Sequence, residues 1–163
     1  MKPAIFLDMD GVLAGFEDWS QDVIGPDWKA EIDQPEWGAY QNHPRLYSKL
    51  PIMQGADVLY ATCCKIVGKD HVHILTAMPN RARSHFPHAA MDKIQWARTY
   101  ISPSIKVLFG PFAKDKQHHC RYGKDILIDD MAINIEQWRV AGGLGILHTE
   151  VFSTLNHLEV MTS

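Results

Sequence analysis

Apolar residues gather in five short runs, at positions 4–7, 72–75, 105–109, 126–128 and 145–147. Each has little internal alternation, as expected of strands buried on both faces, so the runs predict a parallel sheet. Between them the apolar positions recur at helical spacing, over 54–67 with Val58, Leu59, Cys63 and Ile66, over 89–101, and over 134–141, where Gly142 and Gly143 supply the stop. Strands alternating with helices predict an α/β fold, a three-layer sandwich around a Rossmann-like parallel sheet.

One stretch breaks the alternation. Residues 15–50 hold Gly25, Gly38, Pro26, Pro35 and Pro44, together with Trp19, Trp28, Trp37, Tyr40 and Tyr47. Such a stretch is too long and too interrupted for one βα connection, and the economical reading is a small helical cap inserted after the first strand. The tryptophans supply either the cap's own core or a stacking surface for a planar ligand. The expected organisation is one domain over residues 1–163, with the cap at about 15–50.

Composition narrows the function classes without choosing one. The 163 residues are 46% hydrophobic and 21% charged, as in an ordinary globular protein. A formal net charge of −3 and no run of Lys or Arg argue against a nucleic-acid-binding surface but leave a small anionic ligand open. The first residues have neither the apolar core of a signal peptide nor the length of a membrane span, so a cytoplasmic protein is expected. Three cysteines, two of them adjacent at Cys63 and Cys64, lack zinc-site spacing and read as reduced thiols.

The chemistry concentrates at the ends of the predicted strands. Asp8-Met9-Asp10-Gly11-Val12-Leu13 follows the first apolar run, where open α/β sheets bind their ligands. Residues i and i+2 of an extended strand project to one side, and two like charges brought together need a cation or a proton between them. A surface turn of the Asp-x-Asp-Gly type is the competing explanation. A second acidic pair, Asp129-Asp130, follows the fourth run and makes four carboxylates on one rim, hard oxygen ligands that suit Mg²⁺. No EF-hand spacing follows Asp10. Thr76 closes the second run, and its hydroxyl with the next N–H is either a phosphate cradle or an ordinary cap. Lys116 stands thirteen residues before Asp129, with Lys114 as its rival for the role of a charge on a phosphate oxygen.

In this order the pieces resemble the four motifs of the haloacid dehalogenase-like hydrolase superfamily, here Asp8/Asp10, Thr76, Lys116 and Asp129/Asp130. Within it the chain is similar to the 5′(3′)-deoxyribonucleotidases and their small bacterial and phage relatives. That likeness extends over Asp8 to Phe16, the turn from Pro51 to Gly55, Asp92-Lys93-Ile94-Gln95-Trp96, Asp115-Lys116 and Leu127 to Asp130. There are departures. Ala77 stands where the family commonly has Ser, and Asn80-Arg81 where it has a Lys, with Arg81 or Arg83 as candidate substitutes. His118 and His119 lie in a slightly longer stretch before Asp129 and do not read as a metal site.

The resemblance implies a Mg²⁺-dependent phosphomonoester hydrolase, in the first place a nucleotidase. Asp8 would be the nucleophile and a metal ligand, Asp10 the acid and base and a ligand through its carbonyl. Asp129 and Asp130 would complete the metal site; Thr76, Ala77 and Lys116 would hold the phosphoryl oxygens. Phe16 and Trp37 match aromatics that pack on the base, and Lys93 either reaches the phosphate or faces solvent. The expected partner is a small phosphorylated substrate such as a nucleoside monophosphate, with no membrane and no nucleic acid; a homodimer is left open. Other small phosphomonoesters, nucleic-acid 3′ ends and a non-catalytic phosphate-binding module are the rival readings.

Overall fold

The computed structural model describes residues 2–163. Five strands, β1 (Ile5–Leu7), β2 (Val72–Thr76), β3 (Lys106–Phe109), β4 (Ile126–Asp129) and β5 (Leu144–Leu147), form one parallel sheet in the order β3-β2-β1-β4-β5. All five lie on the predicted runs. The first strand is the middle of the sheet, which is why Ile5, Phe6 and Leu7 are apolar without alternation.

Six α-helices accompany the strands: α1 (Phe16–Trp19), α2 (Trp28–Asp33), α3 (Ala56–Val67), α4 (Ala89–Tyr100), α5 (Ala132–Val140) and α6 (Val151–Thr162). Ile5 and Leu7 point into the larger core, which receives Leu59 and Cys63 of α3, Trp96 and Ala97 of α4 and Leu158 of α6. Phe6 points the other way, into a smaller core with Leu75, Leu127, Ile135 and Trp138, where α5 is the covering helix. The result is the three-layer α/β sandwich expected. The last helix was not anticipated. Its N-cap is Glu150, whose carboxylate accepts from the N–H groups of Phe152 and Ser153, a residue type outside the usual capping set.

Between β1 and α3 the chain makes an excursion through α1, a π-helical turn (Ser20–Ile24), α2 and two 3₁₀ segments, Pro35–Asn42 and Leu46–Ser48. A short antiparallel neck closes it. The Gly15 N–H donates to Pro51 O at 2.8 Å and the Met53 N–H to Leu13 O at 2.8 Å, with Ala14 bridged to Ile52. Trp19, Tyr40, Leu46, Tyr47 and Leu50 are buried and continuous with the larger core. Helix α4 holds the returning limb. Arg45 binds buried Asp92 through two nitrogens, at 2.8 and 2.6 Å, and the Trp96 indole N–H donates to Leu50 O at 2.7 Å. The Asp92-Lys93-Ile94-Gln95-Trp96 stretch thus has a structural use on one helix face.

Candidate active site

Strand β1 stands between β2 and β4, with Leu7 opposite Ile74 on one side and Ile128 on the other. The chain order reverses direction between β1 and β4, the position at which an open α/β sheet leaves a crevice beyond its carboxyl ends. Asp8 is the first residue past β1. Its N–H still donates to Ile128 O at 2.9 Å, so its side chain is carried to the end of β4 and meets Asp129 there.

Lys116 joins the two acids. It sits in the 3₁₀ segment Ala113–His119, is 2% exposed, and its Nζ donates to Asp8 Oδ1 at 2.8 Å and to Asp129 Oδ2 at 2.7 Å. Asp129 is further fixed by the Asn134 amide at 3.1 Å and the Met131 N–H at 2.9 Å. Both carboxylates hold Lys116 protonated despite its burial, raising its pKa above the ordinary value. Lys114, the rival two residues earlier, is exposed and lies over the Phe112 ring.

A second lysine does similar work on the other side. Lys93, 1% exposed, donates to Asp10 Oδ2 at 3.0 Å, Thr76 Oγ1 at 2.9 Å and Ala77 O at 2.8 Å. All three ammonium hydrogens have acceptors, and the Tyr47 ring lies 4.5 Å from the nitrogen. Lys93 is therefore neither solvent-facing nor part of the cavity wall. The expectation of direct substrate contact is corrected to one of positioning, with the residue set behind Asp10 and Thr76. The Thr76 hydroxyl accepts from Lys93 and itself donates to Ala77 O at 3.4 Å, so it is held in place at the end of β2. Asp10 Oδ1 is buried and has no hydrogen-bond partner among the described residues.

Charge does not balance in this cluster. Asp8, Asp10, Asp129 and Asp130 face two lysines, an excess of two negative charges. Burial, with the other carboxylates adding to it, pushes Asp8 well above the usual range, outweighing Lys116. Burial and then Asp129 raise Asp130 in the same way. Carboxylate oxygens of Asp8, Asp129 and Asp130 all lie within 4.8 Å of one another. Hard oxygens, convergent and short of two positive charges, fit one divalent cation of the Mg²⁺ type. Asp10 does not contribute a side-chain oxygen to that group, which leaves its carbonyl as the remaining candidate.

Gly11 is needed for this convergence. Its φ is +88°, in the left-handed region, and a Cβ there would stand 2.2 Å from Asp130 Oδ2. Gly11→Ala is expected to lower stability by about 1 kcal/mol or more and to push Asp130 aside. Urea unfolding with and without Mg²⁺ checks both effects, because the gain in stability on adding metal should shrink in the variant.

A cavity of about 480 Å³ opens over the cluster, lined by Asp8, Asp10, Thr76, Ala77, Lys116 and Asp130 among others. Phe16 lines it as well. Trp37 does not: it packs on Phe86, Tyr40 and Phe16 at 5.6, 5.8 and 6.3 Å, and the second aromatic wall of the cavity is Trp28. Trp37, expected to stack on a base, thus stands outside the cavity lining, because nothing in the spacing of five aromatics says which one the neck turns inward. Arg81 donates to Ile32 O in the inserted segment, and neither it nor Arg83 lines the cavity.

Asn134 and His148 also line the cavity, and the sequence does not nominate them. Asn134 follows Asp130 by one helical turn, a phase that could have been read from α5. His148 has its Nδ1 2.8 Å from Thr154 Oγ1 and its backbone N–H bonded to Asp129 O; no motif marks it.

No family model matches the chain, and no curated protein matches it. Among solved structures, the crystal structure of a hydrolase from Streptococcus pneumoniae TIGR4 is similar over 98% of this chain and 100% of that chain. The two are 13% identical, with a TM-score of 0.48. Among the described residues, no helix is long and apolar enough to cross a membrane.

Proposed function

We propose that this chain is a Mg²⁺-dependent phosphomonoester hydrolase of the haloacid dehalogenase type that works through an aspartyl-phosphate. The observation that carries the reading is the pair of lysine-held acids at the switch point. Asp8 is fixed by Lys116 at the cavity floor, and Asp10 is fixed by Lys93 beside it.

In this reading Asp8 attacks phosphorus in line with the ester oxygen, forming an acyl-phosphate bond as the P–O ester bond breaks. Asp10, held at the cavity by Lys93, gives its proton to the departing alkoxide. The same carboxylate then takes a proton from the water that releases phosphate and frees Asp8. Thr76 and Lys116 hold the phosphoryl oxygens while charge spreads over them. Asp8, Asp129, Asp130 and the Asp10 carbonyl would hold Mg²⁺, which neutralises phosphate charge and lets Asp8 react ionised. A phosphate-release screen over nucleoside monophosphates, sugar phosphates and 3′-phosphorylated oligonucleotides, each with Mg²⁺ or a chelator, tests the reading. Release that ignores the chelator, or no release at all, would refute it.

The substrate class we favour is a small monophosphate ester with a flat group, a (deoxy)nucleoside monophosphate first. Phe16 and Trp28 offer ring surface to such a group, whereas the carboxylates of Glu17 and Asp18 in the same cavity repel additional phosphates. A nucleic-acid end is disfavoured on the same ground. Phe16→Ala and Trp28→Ala are each expected to lower kcat/KM on a deoxynucleoside monophosphate by about tenfold, and Trp28→Ala to leave a small aryl phosphate within about twofold. Equal losses on both substrates would count against stacking.

A further inference from the structure

The connection from β3 to β4 crosses the sheet without a full helix. A parallel crossover ordinarily carries one. Here it holds only the 3₁₀ segment Ala113–His119, at the carboxyl ends of the strands where it delivers Lys116, followed by irregular chain to Asp125. The amino-terminal half of that sheet face is consequently open over β1, β2 and β3, as a groove of about 330 Å³.

The side chains facing the groove are not those of an ordinary sheet interior. Lys106, His73 and Phe6 stand level on three adjacent strands. His73 interrupts a strand whose Val72, Ile74 and Leu75 are at most 1% exposed, its ring is 5.5 Å from that of Phe6, and its buried Nδ1 has no hydrogen-bond partner among the described residues. Lys2 and Arg121 add positive charge to the groove wall, and His71 and His119 line it as well. The one carboxylate lining the groove, Asp125, is turned to the backbone, accepting from the N–H groups of Ala4, Arg121 and Tyr122 at 2.9, 3.1 and 3.1 Å. Three permanent cations therefore face one occupied acid in a protein of net charge −3. No residue lining this groove lines the catalytic cavity.

We propose that the groove is a second, non-catalytic site for a small phosphorylated molecule. Lys106, Arg121 and the His73 imidazole hold its phosphate, and Phe6 and Leu108 receive its apolar or flat part. The chemistry is that of a desolvated imidazole beside a guanidinium and an ammonium, which suits a compact, multiply charged anion. The test is a titration of pyrophosphate into the metal-free protein, followed by NMR of the histidine ring protons and the backbone amides. His73 and His71 should shift along a saturating curve. The exposed pair Lys106→Ala with Arg121→Ala should weaken binding at least tenfold while leaving the amide spectrum native elsewhere.

Signals from residues around Asp8 report binding in the catalytic cavity separately, so the groove is judged independently of whether the protein releases phosphate. A linear, unsaturable drift, shifts confined to the catalytic cavity, or an affinity indifferent to the double substitution would each overturn the proposal. So would broadening that grows with protein concentration, which would assign the groove to a second copy of the chain.

Discussion

Asp8→Asn is expected to reduce phosphate release by about three orders of magnitude or more while leaving the protein folded. The substitution removes the attacking oxygen and keeps the volume. It also keeps an acceptor for Lys116, since an amide oxygen can take the 2.8 Å hydrogen bond that the carboxylate now receives. Burial already works against the ionised form of Asp8, so a neutral side chain in its place relieves the cluster, and thermal stability should hold or rise. Rapid-quench measurement with a competent substrate separates the outcomes. The wild-type protein should accumulate acid-stable, base-labile phosphate on the chain, and the variant none. Turnover within tenfold of wild type would rule out covalent catalysis by this residue.

Lys116→Met should damage both turnover and stability. Turnover should fall by about two to four orders of magnitude through the lost charge on the phosphoryl group. Stability should fall too, because Asp8 and Asp129 are left buried without their cation, a situation that typically costs about 3–5 kcal/mol. The sign of its pH dependence follows from the direction of the Asp8 shift. An acid whose folded-state pKa lies above its unfolded value favours the fold at low pH and loses that contribution as pH rises through the folded pKa. Without Lys116 the upward shift grows, so the urea midpoint of the variant should decline more steeply than that of wild type as pH rises above the ordinary carboxylate range. Lys114→Ala should change neither property, because that side chain is exposed. A reversed ranking of the two lysines would place the site's cation on the wrong residue.

The sheet was legible because parallel strands covered on both faces leave uninterrupted apolar runs, and the acidic pairs were legible because they end those runs. Thr76 and Lys116 could be nominated from their distance to these landmarks. What the sequence could not convey was the direction of side chains whose neighbours are far away in the chain. Lys93 looks like any helix lysine until α4 is docked and its nitrogen meets Asp10, 83 residues earlier. Trp28 and Trp37 are equivalent by composition, and only the course of the chain through its irregular turns separates them. Positive φ at Glu36 and Trp37, where glycine would be the expected signal, hid the bend that turns Trp37 toward Phe86. The insertion itself was visible as a break in pattern; its anchoring through Arg45 and Leu50 was not.

Having the first strand at the centre of the sheet also governs when the chain can fold as it is made. β1 must wait for partners that begin at Val72 and Ile126. The Ala4 to Asp125 hydrogen bond spans 121 residues, and the contact between Lys116 and Asp8 spans 108. Pairing at such separation is slow, and an apolar strand kept waiting is open to association with other chains. The run Ala4-Ile5-Phe6-Leu7 is bounded by Lys2 and Pro3 on one side and by Asp8 and Asp10 on the other. A charge and a missing N–H before it, and two charges after it, are the residue types that keep a bare strand from recruiting another. The acids nominated for catalysis are thus also of the kind that discourages association of β1 until β2 and β4 are there to pair with it.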